Sequence, residues 1–161
     1  MNPTFLKTGD ILHCSGKNLN SKLVKKFTKS KFTHSAVFIE VWGEPYVLDA
    51  QKDGVNLRAW ADWLLEYEYD IIIHRSSTVT NEKTFAQRAL SRVGCSAYSF
   101  EEIIMKKPFQ LLTGRWRKKK YESLYCSEYI AWIYCIEKVY NFTPQDLHDW
   151  CKKNFFYEIV I

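Results

Sequence analysis

Five cysteines and four histidines are the residues of this chain that could carry nucleophilic or acid–base chemistry. A cysteine attacks through its thiolate, and a helix N-terminus stabilises that anion with the positive end of its dipole. Of Cys14, Cys95, Cys126, Cys135 and Cys151, only Cys126 falls in the first turn of an expected helix, the apolar run 123–140. Cys135 lies mid-helix and Cys151 in the last turn of a later helix, where the dipole disfavours a thiolate. Cys95 follows a helix end and Cys14 closes a strand. The spacing therefore selects Cys126.

A nucleophilic thiol needs a base within hydrogen-bond reach. His148 falls on the polar face of a helix, and His13 and His74 fall at strand ends, so all three read as surface residues. His34 differs, because it alternates in phase with Phe32, Ala36 and Phe38 on strand 32–41, apolar on both faces and hence central. The helix of Cys126 has to cover that same face for the two to meet. A third group would orient the imidazole and set its tautomer. Asp49, which interrupts the apolar run Val47-Leu48-Asp49-Ala50, returns beside His34 on an antiparallel hairpin. Glu40 has the right parity but lies about 20 Å along the strand at roughly 3.4 Å per residue.

The elements that must position these groups alternate. Strands are expected at 11–13, 32–41, 46–50, 54–57, 69–74 and 155–161. Helices are expected at 20–29, 60–65, 82–93, 99–105, 123–140 and from Pro144 onward. Asn81 caps one helix and Gly94 stops it, Ser99 and Glu102 form a capping box, and Thr143-Pro144 opens the last helix. Residues 108–122 read as an exposed basic loop. This is an α+β chain, with helices packed on a mainly antiparallel sheet and the nucleophile at the N-terminus of a buried helix. At 161 residues it is expected to form a single domain over 1–161.

Composition narrows the function classes. No stretch is long and apolar enough to span a bilayer, and the first residues lack a basic segment followed by an apolar run, so a cytoplasmic protein is expected. The odd cysteine count without paired spacings argues against a disulfide scaffold and a structural zinc site, and no metal or cofactor is expected. The net charge of +5 concentrates at Lys22, Lys25, Lys26, Lys29 and Lys31, and at Arg115, Arg117, Lys118, Lys119 and Lys120. Such clusters are either solvated faces or contacts for an anionic group. Aromatic residues make up 16% of the chain, enough to build a bulky core or to line a cleft for a greasy substrate.

Read in order, Gly9-Asp10-Ile11-Leu12, Thr33-His34-Ser35-Ala36-Val37, Val47-Leu48-Asp49-Ala50, Tyr98-Ser99-Phe100 and Tyr125-Cys126-Ser127-Glu128-Tyr129-Ile130 resemble the circularly permuted papain-like enzymes of the YiiX type. These are cousins of the NlpC-type cell-wall peptidases, with histidine first in sequence and cysteine last. The resemblance runs from Gly9 into the helix after Thr143, and its most specific element is the Cys-Ser-Glu helix start. It implies a permuted papain-like fold with Cys126 as nucleophile, His34 as base and Asp49 as third polar residue. It also implies that Tyr98 stands beside the site, helping the Cys126 backbone N–H hold an oxyanion. Ala36 stands where glycine is usual, Asp49 where glutamate is commoner, and Ser99 where an aspartate follows the tyrosine.

The implied activity is thiol hydrolysis of an amide or ester, with a cell-wall peptide or an acylated lipid as substrate. Two alternatives stay open. One is an acyltransferase or phospholipase like lecithin:retinol acyltransferase, although Tyr125-Cys126-Ser127-Glu128 departs from the Asn-Cys-Glu-His of that group. The other is a non-catalytic module for nucleic acid or anionic membrane, whose binding would weaken steeply with salt.

Overall fold

The computed structural model describes residues 3–16, 25, 30–51, 53–67, 71–77, 79–95, 124–137, 142–154 and 156–160. Most of helix 20–29, the segment 99–105 with Tyr98, and the basic residues from Arg115 to Lys120 lie outside the described residues.

Among the described residues six strands make one antiparallel sheet: β1 Ile11–Cys14, β2 His34–Val41, β3 Glu44–Gln51, β4 Gly54–Ala59, β5 Ile72–Ser76 and β6 Phe156–Val160. Their order across the sheet is β4-β3-β2-β1-β5-β6, so β2 and β1 are central. Among the described residues the helices are α1 Trp60–Glu66, α2 Glu82–Leu90, α3 Cys126–Ile133 and α4 Pro144–Lys153.

The period-2 alternation sorts side chains into two cores. On one face Ile11, Val37, Ile39 and Leu48 pack with Ala89 of α2, Tyr129, Ile130 and Ile133 of α3, and Leu147 and Cys151 of α4. On the other, Leu12, Cys14, Ala36, Phe38 and Val47 pack with Trp60 and Trp63 of α1. The sheet is thus sandwiched, with the expected α+β, helix-on-sheet architecture.

Local chemistry explains the ends. Gly9 holds φ +97°, and a Cβ there would come within 3.0 Å of Val79 Cγ2 and 3.2 Å of the Tyr134 hydroxyl, so glycine suits this turn into β1. Asp10 beside it is a buried anchor: its carboxylate accepts from Arg75 Nε at 2.9 Å and Nη2 at 2.6 Å, tying the entry of β1 to β5. Asn81 caps α2 by accepting from the Thr84 N–H at 2.9 Å. Thr143 and Asp146 cap α4 reciprocally.

The helix expected over 123–140 stops at Ile133, because Cys135 takes a left-handed φ of 55°. Arg88 of α2 makes that ending favourable, donating to the Trp132 carbonyl at 3.0 Å and to Cys135 Sγ at 2.6 Å. The strand expected at 69–74 is shifted to Ile72–Ser76.

Candidate active site

Cys126 is the first residue of α3, and its side chain is 5% exposed. The N-cap is held by Glu128, whose buried carboxylate accepts from the Tyr125 N–H at 3.1 Å, while the Ser127 hydroxyl donates to the Phe142 carbonyl. These bonds seat the helix start, so the thiol stands at the positive end of the α3 dipole.

The route by which Cys126 meets His34 differs from the expected one. Helix α3 does not cover the face of Ala36 and Phe38; it packs on the opposite one, against Val37 and Ile39. The meeting happens where the sheet opens. Pairing of β2 with β3 runs from Val41↔Glu44 to Val37↔Leu48, so His34–Ala36 and Asp49–Gln51 lie beyond the ladder. Phe38 exchanges hydrogen bonds with the chain entering β1, so by antiparallel alternation the N–H of Ser35 points the other way, into the opening. The Cys126 sulfur faces the backbone N–H groups of Ser35 and Ser127 and the His34 imidazole, and all three favour its thiolate.

Across the same opening, His34 Nε2 lies 2.9 Å from Asp49 Oδ2, which leaves Nδ1 as the nitrogen that turns to sulfur. Asp49 is fully buried, and its reach, shorter than the usual glutamate's, is sufficient. Its Oδ2 also accepts from Arg58 Nη2 at 2.8 Å, Gln51 Nε2 at 3.0 Å and Trp63 Nε1 at 3.2 Å. Arg58 is anchored in turn by Glu66 at 2.8 Å. Tyr67 lies parallel to the imidazole, with centroids 5.2 Å apart and planes 5° apart, and its hydroxyl accepts from Gln51 at 3.1 Å.

Charge follows from this packing. Burial disfavours the imidazolium, but the facing Cys126 thiolate and the Asp49 hydrogen bond outweigh it and raise His34 to about 10. Burial likewise opposes the Cys126 thiolate, and the His34 charge and hydrogen bond, with the two backbone N–H groups, pull the thiol below its usual value. Asp49 is pushed up by burial and drawn further down by His34, Arg58 and Gln51. The arrangement favours a thiolate–imidazolium pair at neutral pH, the form that attacks carbonyl carbon.

Three of the four residues expected at the site, Cys126, His34 and Asp49, are brought together; Tyr98 lies outside the described residues. The reading of the other histidines is corrected. His13, His74 and His148 are buried rather than exposed, because α4 turns its His148 and Cys151 edge onto the β1–β5 face. Sequence reasoning passed over Ser35, Gln51, Arg58, Trp63 and Tyr67. The aromatic stripe Trp60, Trp63 and Tyr67 at helical spacing was a usable signal. So was the in-phase position of Arg58, whose register partner is Val47, two residues from Asp49.

A thiol at a buried helix start, faced by an imidazole and a carboxylate from an antiparallel sheet, is the arrangement of the papain-like class; histidine preceding cysteine makes it the permuted form. The family of permuted papain-like amidase enzymes, YaeF/YiiX or C92, matches residues 5–149, and the chain belongs to it. It is accordingly a cysteine hydrolase of the amidase and peptidase kind. The crystal structure of metalloprotein yiiX from Escherichia coli O157:H7 is similar in fold, with a TM-score of 0.60 and 19% identity, covering 96% of this chain and 88% of that one. No curated protein sequence matches. Among the described residues no helix is long and apolar enough to cross a membrane.

Proposed function

We propose that residues 1–161 act as one unit that hydrolyses an amide or ester through a thiol acyl-enzyme, on a cell-wall peptide or a lipid-linked acyl group. The observation that carries the reading is the ordered contact Asp49–His34–Cys126, with a 2.9 Å carboxylate–imidazole bond at the start of a buried helix. The Cys126 thiolate attacks the carbonyl carbon. The oxyanion gathers at the backbone N–H of Cys126, to which the family resemblance adds the Tyr98 hydroxyl. The His34 imidazolium gives its proton to the leaving group and then, as neutral base, takes one from the water that releases the acyl product. Asp49 holds the imidazole in register and favours its charged form. The cations from Arg115 to Lys120 would meet an anionic group on the substrate, and the five unpaired thiols suit the reducing cytoplasm.

The similar yiiX is described as a metalloprotein. Of this chain's residues, a donor set that suits a metal lies apart from Cys126, at His13, His74 and Cys151, and the thiol chemistry above is derived without it.

Alkylation of the native protein across pH, resolved by residue, tests the reading. Cys126 should label fastest, with a rate held high well below pH 8 and suppressed in His34→Ala. Burial pushes Cys14 and Cys151 up, so both should stay slow until alkaline pH. Equal, slow labelling of all five cysteines would overturn the proposal. Turnover of cell-wall peptides against acylated lipids then separates the two substrate classes, and neutralising Arg115 to Lys120 should raise KM for an anionic substrate.

A further inference from the structure

A second cluster of histidine and cysteine lies between β1, β5 and α4, on the sheet face opposite His34. His13 and His74 sit diagonally on neighbouring strands, with Ile11 opposite His74 and His13 opposite Ile72. They share the face covered by α4, whose His148 and Cys151, three residues apart, project from one helix edge. The rings of His13 and His74 are 5.0 Å apart, those of His74 and His148 4.8 Å, and those of His13 and His148 5.4 Å.

This cluster is short of hydrogen-bond partners. His13 Nδ1 meets the Ser35 hydroxyl at 3.1 Å, whereas His13 Nε2, both nitrogens of His74 and His148 Nδ1 are buried without one. Glu158 Oε2 stands 3.6 Å from His74 Nε2, too long for a hydrogen bond, and leans to Lys152 at 3.3 Å. Each buried polar atom left unsatisfied costs about 1–3 kcal/mol. Three imidazoles with unsatisfied nitrogens, beside a buried thiol, make a place for an added partner.

We propose that His13, His74 and Cys151 form a three-residue binding site for a divalent transition metal of the zinc class. The donor atoms of His13, His74 and Cys151 lie within 4.8 Å of one another. Tetrahedral zinc, with bonds of about 2.0–2.3 Å, needs donors roughly 3.3–3.7 Å apart, so side-chain shifts of about an ångström close the site. Imidazole nitrogen with thiolate sulfur is the donor set that selects zinc over magnesium or calcium. The Ser35 contact supplies the outer support usual for a ligating histidine: with its hydroxyl accepting from Nδ1–H, the Nε2 lone pair is left for the ion. Burial keeps both imidazoles neutral, with His13 well below its ordinary value and His74 down to about 4, so neither must lose a proton to bind. The Cys151 thiol, held up by burial, releases its proton to solvent as the sulfur–metal bond forms.

The test uses the full chain carrying Cys126→Ala, reduced and metal-free, so that the catalytic thiol contributes nothing. Titration with Co2+ should give one ion per chain, visible bands of tetrahedral intensity and a thiolate charge-transfer band in the near ultraviolet. Zn2+ should displace the cobalt and raise Tm. Adding Cys151→Ala should remove the charge-transfer band, and His74→Ala should weaken binding at least about tenfold. If His74→Ala does not fold, His13→Gln serves in its place with the same expectation. Glu158→Gln should leave the spectrum intact. Absence of Co2+ binding would overturn the site, as would a spectrum indifferent to Cys151→Ala and His13→Gln. A spectrum lost in Glu158→Gln but unchanged in Cys151→Ala would place the ion on His74, His148 and Glu158 and overturn this ligand set.

Discussion

Two groups of histidine and cysteine stand on neighbouring strand pairs of one sheet, the first built from β2, β3 and the start of α3 and the second from β1, β5 and α4, and their protonation runs in opposite directions. His34 is raised to about 10, whereas His74 falls to about 4 and His13 lies well below its ordinary value. Cys126 is lowered, whereas Cys151 is raised. All five are buried, so burial alone does not separate them. The difference has two sources. Asp49 shares a hydrogen bond with His34, while no carboxylate among the described residues lies within hydrogen-bond distance of His13 or His74. Cys126 opens its helix, and Cys151 stands in the last turn of α4. One carboxylate and one helix end turn the same residue types into a charged pair at one site and a neutral cluster at the other.

The sharpest way to break this contrast is to remove a member of the charged pair. Cys126→Ala or His34→Ala should lower kcat by on the order of 10⁴ or more, as expected for groups that act as a unit. Cys95→Ala should leave kcat within about threefold, which assay of both variants on one amide substrate would check. Asp49→Asn comes next. It keeps the shape but removes the charge that holds the imidazolium, and should lower kcat/KM by roughly 10² or more. Asp49→Ala also strips an acceptor from His34, Arg58, Gln51 and Trp63, and should destabilise the fold by about 3 kcal/mol in denaturant titration.

The pH dependence of that stabilisation has a definite sign. Asp49 lies below its ordinary value in the fold, so its contribution is present above the unfolded carboxylate pKa and is lost as pH falls through the depressed value. His34 is raised, so its contribution is full below about 6.5 and disappears as pH climbs through about 10. Stability of the parent should therefore drop on both flanks, and Asp49→Asn should flatten the profile. Imidazole NMR at pH 7 on metal-free protein should show His34 charged and His13 and His74 neutral; a neutral His34 would remove the contrast.

How far the sequence carries these features depends on range. Cys126 was legible because a helix N-terminus is a local property, and His34 and Asp49 because strand parity is equally local. The opening between β2 and β3 was not, since it arises where a regular ladder stops after Val37↔Leu48. For that reason the helix was expected on the wrong face of β2, although the contact it was invoked to explain is present. The burial of His13, His74 and His148 was missed for a related reason. Each looks peripheral on its own element, and only the docking of α4 on β1 and β5 brings them together. The aromatic residues divided likewise: Trp60 and Trp63 are core, whereas Trp42, at the turn between β2 and β3, is 99% exposed.

Ser35 sits between the two groups and offers the most delicate test of their independence. Its backbone N–H points at the Cys126 sulfur, while its hydroxyl meets His13 Nδ1 at 3.1 Å. Ser35→Ala keeps the first contact and deletes the second. If the groups are independent, kcat should stay within about threefold, and the loss should appear as about 1 kcal/mol of stability from the stranded His13 nitrogen. Any metal affinity should fall as well, because the His13 tautomer is no longer held. A tenfold loss of kcat with an unchanged fold would instead show that the hydroxyl positions the strand that presents His34. The faces of the sheet would then be coupled through one side chain, and the neutral cluster would belong to the working parts of the thiol site.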